Sequence, residues 1–184
     1  MSRLFRPRLR TYLGLVALIG TLLAVPSTPA SASIFPIRIL TENFEGDSAG
    51  TWTFDGAADC SFCGYVEPDS IAAHSGTNSA FVETFYWLGS FYSVGKLVYL
   101  PVNRSCTARV YISHVGPANI EVIDPDSWTY VALRSLPGTV VNYQQQSVSW
   151  SGGPKTVYFR VSTISESAHP DPWLNVDDIT IDCL

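Results

Sequence analysis

Short β-rich runs, each followed by a turn signal, recur along most of this 184-residue chain and restrict its possible folds more than any other feature. Alternation within the runs has the period of strands, and helical spacing is hard to find. Breaks rich in Gly and Pro, such as 136–138 and 151–154, separate the runs. The predicted strands are Ile37–Leu40, Trp52–Asp55, Ser79–Trp87, Lys96–Leu100, Cys106–Val115, Asn119–Ile123, Tyr130–Leu133, Gln146–Trp150, Thr156–Thr163 and Leu174–Asp182. About ten short strands in one domain imply an all-β fold, an antiparallel β-sandwich of two packed sheets.

Alternation also predicts which side chains face the core. Successive side chains of a strand point to opposite faces, so the apolar members of a run should point inward. The residues predicted to face the core are Ala108, Val110, Ile112, Val157, Phe159 and Val161. The residues on the opposite faces are Arg109, Tyr111, Ser113, Tyr158, Arg160 and Ser162. The Tyr and Arg residues among them suit a hydrated, aromatic binding surface.

Residues 1–32 read as a cleavable signal peptide. A basic segment precedes the apolar run Tyr12–Val25, and Ala30-Ser31-Ala32 supplies the small residues of a cleavage site. The alternative is a membrane anchor, but the run is shorter than the roughly 20 residues needed to span a bilayer. We therefore predict a secreted, extracellular protein in which residues 33–184 form a single β-sandwich domain.

The net charge of the chain limits the classes of partner that it can bind. The chain has 16 acidic and 11 basic residues, a net charge of −5, and four of the basic residues lie in the predicted signal peptide. The mature part is therefore more acidic still, and such a surface repels nucleic acid and anionic lipid. We expect no nucleic-acid partner, no membrane insertion and a monomer.

Four cysteines lie in the mature part, an even number that suggests two disulfides in an exported chain. Three pairings are possible, and we favour Cys60–Cys63 with Cys106–Cys183. A zinc half-site or a redox pair at Cys60 and Cys63 is the alternative. A zinc site requires a second close Cys or His pair, and a thioredoxin-like redox pair requires a βαβ context. The sequence shows neither.

The order of several motifs resembles the galactose-binding-like jelly roll, the fold of many secreted carbohydrate-binding modules. These motifs are Asn43-Phe44-Glu45-Gly46, Gly50-Thr51-Trp52, His74-Ser75-Gly76-Thr77-Asn78-Ser79 and Val176-Asp177-Asp178-Ile179-Thr180-Ile181. MAM adhesion domains are similar at the start and at the final Asp-Asp strand. The resemblance spans roughly Leu40 to Cys183 and implies a jelly-roll sandwich that binds a polysaccharide or other glycan.

The same resemblance implies a structural calcium ion. It would join the N-terminal Phe-Glu segment to an Asp of the last strand, here Glu45 and Asp178. Backbone carbonyls near Asn43 and Ser75 would complete the shell, since Ca²⁺ takes six to eight oxygen ligands. The alternative is that both carboxylates are ordinary turn and edge residues.

Aromatic residues are the richest candidates for ligand contact. Sugars stack their C–H faces on rings, while Asn, Gln and Arg bind the hydroxyls. The predicted ligand-binding residues are Trp87, Tyr92, Tyr111, Trp128, Tyr143 and Arg160. The alternative is that the aromatics fill the core, as we expect for Trp52 and Trp150.

The sequence shows no complete catalytic constellation. His74, His114 and His169 could act as bases, but no nucleophile-elbow, zinc-protease or phosphate-loop motif accompanies them. We therefore predict a non-catalytic carbohydrate-binding module. The alternatives are an extracellular protein-binding or adhesion domain and, less favoured, a small secreted hydrolase with paired carboxylates.

Overall fold

Strands make up most of the described part of the chain. The computed structural model describes residues 35–56, 63–84, 89–101 and 104–184; the predicted signal peptide, Cys60 and Trp87 lie outside these ranges. Its strands are β1 (Ile37–Glu42), β2 (Thr53–Gly56), β3 (Gly64–Glu67), β4 (Ser79–Glu83), β5 (Phe91–Tyr99), β6 (Ser105–Val115), β7 (Ala118–Asp124), β8 (Thr129–Leu136), β9 (Val140–Ser151), β10 (Thr156–Ile164) and β11 (Trp173–Cys183). A short 3-10 helix spans Asp47–Thr51. Within the described ranges, no helix is long and apolar enough to cross a membrane.

Two antiparallel sheets confirm the predicted all-β sandwich. One has the order β3-β4-β11-β6-β9, with β1 also paired to β11, and we call it the six-stranded sheet. The other has the order β2-β5-β10-β7-β8, and we call it the five-stranded sheet. Each of the ten predicted strands coincides with an observed strand. β3 was missed, since Gly64–Glu67 is too short to show a clear alternation.

The core lies between the two sheets. All six residues predicted to point inward are buried, as are Trp52 and Trp150. On β10 the buried residues Val157, Phe159 and Val161 alternate with Tyr158 and Arg160 on the outward face. The period-two rule therefore assigned the faces of the central strands correctly.

A bulge interrupts β11 and changes that alternation. The register with β6 shifts between Asp177 and Thr180, and Asp178 has a left-handed φ of 45°. A bulge leaves a residue unpaired and turns the strand locally. Here it directs the carboxylates of Asp177 and Asp178 toward the same segment, residues 74–75.

The disulfide that the structure describes in full has the pairing predicted from the sequence. Cys106 and Cys183 are directly opposite each other in the β6–β11 ladder and are joined by a disulfide. Cys63 is also disulfide-bonded. The predicted Cys60–Cys63 link involves Cys60, which lies outside the described residues.

Candidate functional site

The predicted ligand-binding residues fall on opposite sides of the sandwich. Trp128 and Arg160 belong to the outward side of the five-stranded sheet, whereas Tyr111 and Tyr143 belong to the outward side of the six-stranded sheet. Trp87 lies outside the described residues. The structure therefore divides this set into separate surfaces.

Tyr92 is part of the core, so its predicted role in ligand contact does not agree with its position. Its side chain is only 8% exposed, because alternation along β5 places it on the inward face with Val94. Its ring packs over two glycines, and a Cβ at Gly56 would lie 2.2 Å from the Tyr92 ring. Burial raises the pKa of the Tyr92 hydroxyl, and the nearby carboxylate of Asp55 adds to the shift.

Tyr111 and Tyr143 are covered by residues of the β3–β4 connection. The imidazole of His74 stacks on Tyr111, with ring centroids 3.7 Å apart and planes 17° from parallel. The Tyr143 hydroxyl donates a hydrogen bond to the backbone oxygen of Ala72 at 2.6 Å, and burial raises its pKa. The connection thus occupies the position at which a sugar would stack on Tyr111.

Glu45 holds the C-terminal half of this covering segment. Its carboxylate accepts hydrogen bonds from the backbone N–H groups of Thr77 at 2.5 Å and Asn78 at 2.6 Å. These two bonds lower the pKa of Glu45 below its ordinary value of 4.5. Gly76 has a φ of 66°, and a Cβ there would lie 2.3 Å from a Glu45 oxygen, so the turn requires glycine.

Asp177 and Asp178 hold the N-terminal half of the covering segment. Asp177 accepts hydrogen bonds from the backbone N–H groups of His74 at 2.9 Å and Ser75 at 3.0 Å. Asp178 accepts one from the Ser75 hydroxyl at 2.9 Å and lies 2.6 Å from the His74 Nδ1 atom. We call Glu45, Asp177 and Asp178 the carboxylate clasp, since they tie residues 74–78 to the strands beneath.

Glu45 and Asp178, the residues implied to bind calcium, both hold residues 74–78, but their oxygens do not fit a calcium shell. Each oxygen of Glu45 accepts two hydrogen bonds from Thr77 and Asn78, which fills the lone pairs that an ion would need. Among residues 35–56, 63–84, 89–101 and 104–184, no group of three or more His, Cys, Asp or Glu side chains is placed to hold a metal ion.

The outward face of the five-stranded sheet carries a buried charged pair. The Arg160 Nε atom donates to Glu121 at 2.6 Å, a second guanidinium nitrogen forms an ion pair with the same oxygen, and Ser162 donates to the other oxygen at 2.6 Å. Glu121 is only 3% exposed. The Arg160 guanidinium also lies 5.3 Å from the centroid of the Phe91 ring. These contacts fix the guanidinium in one orientation and balance its charge.

Exposed aromatics surround this pair. Trp128 is 66% exposed and Tyr130 is 57% exposed, and the Trp128 and Tyr158 rings meet edge to face at 6.0 Å. Beside them is a pocket of about 210 Å³. Its lining residues are Gly89, Phe91, Asn119, Glu121, Tyr130, Arg160, Ser162 and Ile164. We call this region, with Trp128 and Tyr158, the aromatic surface.

Trp128 reaches solvent through an unfavourable backbone conformation. Its φ is 55°, a left-handed value that a bulky residue rarely adopts, and its N–H donates to the Asp124 carbonyl at 2.8 Å. Such strain costs of order 1–3 kcal/mol and clusters at functional sites. The turn therefore presents an exposed indole at a cost to stability.

Trp128 and Arg160, two of the predicted ligand-binding residues, lie on the aromatic surface, whereas Glu121, Tyr130 and Tyr158 of the same surface were not among the predicted residues. The alternation along Thr156–Thr163 predicts that Tyr158 points outward, and this signal could have identified it as a candidate for ligand contact. Glu121 gave no such signal, because its pairing with Arg160 depends on β7 and β10 being neighbours.

Comparison of the sequence with family models and with curated proteins gives no match. Comparison with solved structures shows that the chain has a β-sandwich fold that several carbohydrate-binding modules and two adhesin domains share. The resemblance noted from the sequence motifs is thus confirmed at the level of fold.

Three of these structures illustrate the likeness. TmCBM61 in complex with β-1,4-galactotriose has a TM-score of 0.55 and 14% identity, covering 79% of this chain and 97% of that chain. The CBM22-1 xylan-binding domain of Xyn10C from Paenibacillus barcinonensis has a TM-score of 0.55 and 16% identity, covering 80% and 95%. The K3 cleaved adhesin domain of Lys-gingipain from Porphyromonas gingivalis has a TM-score of 0.53 and 17% identity, covering 79% and 98%.

Proposed function

We propose that this protein is a secreted, non-catalytic glycan-binding module whose ligand lies on the aromatic surface. The observation that carries the proposal is the exposed, strained Trp128 on the same sheet face as a pocket lined by Tyr130 and the Arg160–Glu121 pair. The similar folds of modules solved with galactotriose and xylohexaose support a saccharide ligand.

The binding mechanism combines stacking with oriented hydrogen bonds. Trp128 and Tyr130 offer apolar ring faces to the C–H faces of sugar rings. Arg160 and Asn119 offer donors to hydroxyl oxygens from the pocket. Because Glu121 already holds the guanidinium, little side-chain entropy is lost when the ligand binds.

Glu121 also supports a non-catalytic role. An acid–base carboxylate must exchange a proton with the substrate, within hydrogen-bond reach of the reacting atom. Both Glu121 oxygens already accept hydrogen bonds from Arg160 and Ser162, and the group is buried. Its role in this site is to position Arg160.

Action outside the cytoplasm is supported by the disulfide. Cys106 and Cys183 are joined, and disulfides persist in oxidising compartments such as the extracellular space. The predicted signal peptide supports the same location.

Replacing Trp128 with Ala should weaken binding to the cognate polysaccharide by about tenfold or more, because the indole is the most exposed ring of the site and loss of such an anchor costs 1–3 kcal/mol. Affinity electrophoresis across a panel of β-1,4-linked galactan, xylan and glucan measures the loss. Phe35→Ala is the matched control, since Phe35 is 77% exposed two residues before β1 of the six-stranded sheet and should leave this binding unchanged. Equal retention of Trp128→Ala and the wild type would refute the site, and no retention of the wild type would refute the function.

Calcium, the cofactor implied by the resemblance, has its own test. We expect the melting temperature to stay the same with calcium and with chelator, because the clasp is closed by the chain's own donors. A ligand at 100 times its dissociation constant stabilises the folded state by about 2.7 kcal/mol, which is easily detected by calorimetry. If calcium raised the melting temperature of the wild type by several degrees but not that of Glu45→Gln, the carboxylate clasp would be a calcium site.

An adhesion role is the second candidate. The cleaved adhesin domains K1 and K3 of Lys-gingipain share the fold, with TM-scores of 0.52 and 0.53. A wild-type protein that binds no polysaccharide but binds a surface protein through Trp128 would favour this candidate.

A further inference from the structure

A second surface lies on the outward face of the six-stranded sheet. In the six-stranded sheet Tyr65, Phe81, Asn175 and Ser113 are register partners across β3, β4, β11 and β6, so they form one row on its outward face. The Tyr65 and Phe81 rings pack with centroids 5.4 Å apart, and Tyr65 remains 43% exposed. Trp173 is a neighbour of this row, two residues from Asn175 on the same face of β11.

Carboxylates flank the ring pair. Glu67 lies two residues from Tyr65 on β3, and Glu83 lies two residues from Phe81 on β4, so both share the outward face. Burial raises the pKa of Glu67, with repulsion from Asp69 adding to it. Burial likewise raises the pKa of Glu83, with repulsion from Asp171 and then Glu67 adding to it.

Basic side chains on this sheet lie at its far end. Arg38 and Arg109 both bind Asp182, which is nine residues along β11 from Trp173, roughly 30 Å at strand rise. Neither Glu67 nor Glu83 forms a salt bridge with any described residue. The negative charge around the ring pair is therefore not balanced locally by a described cation.

Asn175 supplies an independent sign of a missing partner. Its Oδ1 atom is buried and has no hydrogen-bond partner in the described protein. An unpaired buried acceptor costs about 1–3 kcal/mol, and a ligand that donates an N–H group to it recovers that energy. The acceptor lies between Phe81 and the β6 strand, in the same row as the rings.

We propose that this surface, formed by Tyr65, Phe81, Asn175, Glu67 and Glu83, is a second saccharide site that selects protonated amino sugars. A ring face attracts a cation within about 6 Å of its centroid, and carboxylates on two sides add Coulombic attraction. The exposed Tyr65 ring, tilted 52° from the Phe81 ring, receives the C–H face of the sugar, and Asn175 accepts a hydrogen bond from the ligand. Charge complementarity thus distinguishes this surface from the aromatic surface, whose Arg160 is already neutralised by Glu121.

Two oligosaccharides that differ mainly in charge test the proposal. We expect the full chain to bind a β-1,4-linked glucosamine hexamer about tenfold tighter than the N-acetylglucosamine hexamer, by calorimetry at fixed salt and mildly acidic pH, where the amines are protonated. Tyr65→Ala and the near-isosteric Glu83→Gln should each reduce the affinity for the amine hexamer by several fold. Trp128→Ala, which alters only the aromatic surface, should leave that affinity unchanged.

Three results would overturn the proposal. The first is equal binding of the two hexamers, and the second is loss of the amine hexamer in Trp128→Ala. The third is hexalysine binding as tightly as the amine hexamer with the same dependence on Tyr65, which would make the surface a docking site for basic peptides. Because Glu83→Gln changes one charge and almost no volume, its effect is readable even if Tyr65→Ala folds poorly. Retained binding of a neutral polysaccharide by these variants shows that the proposed function stands independently.

Discussion

Reduction of the Cys106–Cys183 disulfide should lower the free energy of unfolding by about 2–5 kcal/mol. The bond joins residues 77 positions apart, so it removes a large amount of chain entropy from the unfolded state. The two residues are also opposite partners at the end of the β6–β11 ladder, where the strands would otherwise fray. At about 2–4 °C per kcal/mol for a domain of this size, the melting temperature should fall by roughly 4–20 °C.

Urea unfolding of the Cys106→Ala/Cys183→Ala variant, alongside the wild type with and without reductant, measures this effect. The Cys60→Ala/Cys63→Ala variant is the control: if that predicted pair is bonded, its loop is so short that the same chain-entropy model gives only about 2 kcal/mol. If the free energy of unfolding of the Cys106→Ala/Cys183→Ala variant fell by less than about 1 kcal/mol, the prediction would be wrong, and the β-ladder alone would hold the two strands together.

Glu121→Ala should be the most destabilising single substitution on the aromatic surface. It leaves the largely buried Arg160 guanidinium without its counter-charge and removes the acceptor of the Ser162 hydroxyl. Breaking one partner of a buried pair typically costs about 3–5 kcal/mol. We also expect glycan binding to weaken, because Arg160 loses the contact that orients it.

A double substitution separates these two effects. Glu121→Leu with Arg160→Met removes both charges, so its stability should return to within about 1–2 kcal/mol of the wild type while glycan binding stays weak. Arg38→Ala is the control for a surface pair, since Arg38 is mostly exposed and bonds to Asp182, and it should cost under about 1 kcal/mol. A double variant as unstable as Glu121→Ala would show that packing, and not charge, governs this position.

The strands could be predicted because their signal is local. Alternation in Cys106–Val115 and Thr156–Thr163 assigned inward and outward faces correctly, and the favoured Cys106–Cys183 pairing is confirmed. Tyr92 shows the limit of that reasoning. It was grouped with exposed aromatics although its place on β5 makes it an inward residue.

The candidate site was predictable only in part. Trp128 and Arg160 lie on the aromatic surface, but Tyr111 is covered by His74 and Tyr143 is bonded to Ala72. The sequence showed that Tyr111 points outward, yet an outward side chain is exposed only if no other segment folds over it. The carboxylate clasp, which holds that covering segment, draws its residues from positions more than a hundred apart in the chain.

By itself, then, the sequence determined ten of the eleven described strands, the inward faces of the central strands and the two cysteines of the described disulfide. Only the tertiary structure decided which outward faces stay open and which carboxylate neutralises Arg160. The physical reason is the separation in sequence of the residues involved. Side-chain alternation is a property of a single strand. Strand order and the packing of a connection over a sheet depend on contacts between distant segments. Glu121 and Arg160 face each other because β7 and β10 are neighbours, and no local pattern records that.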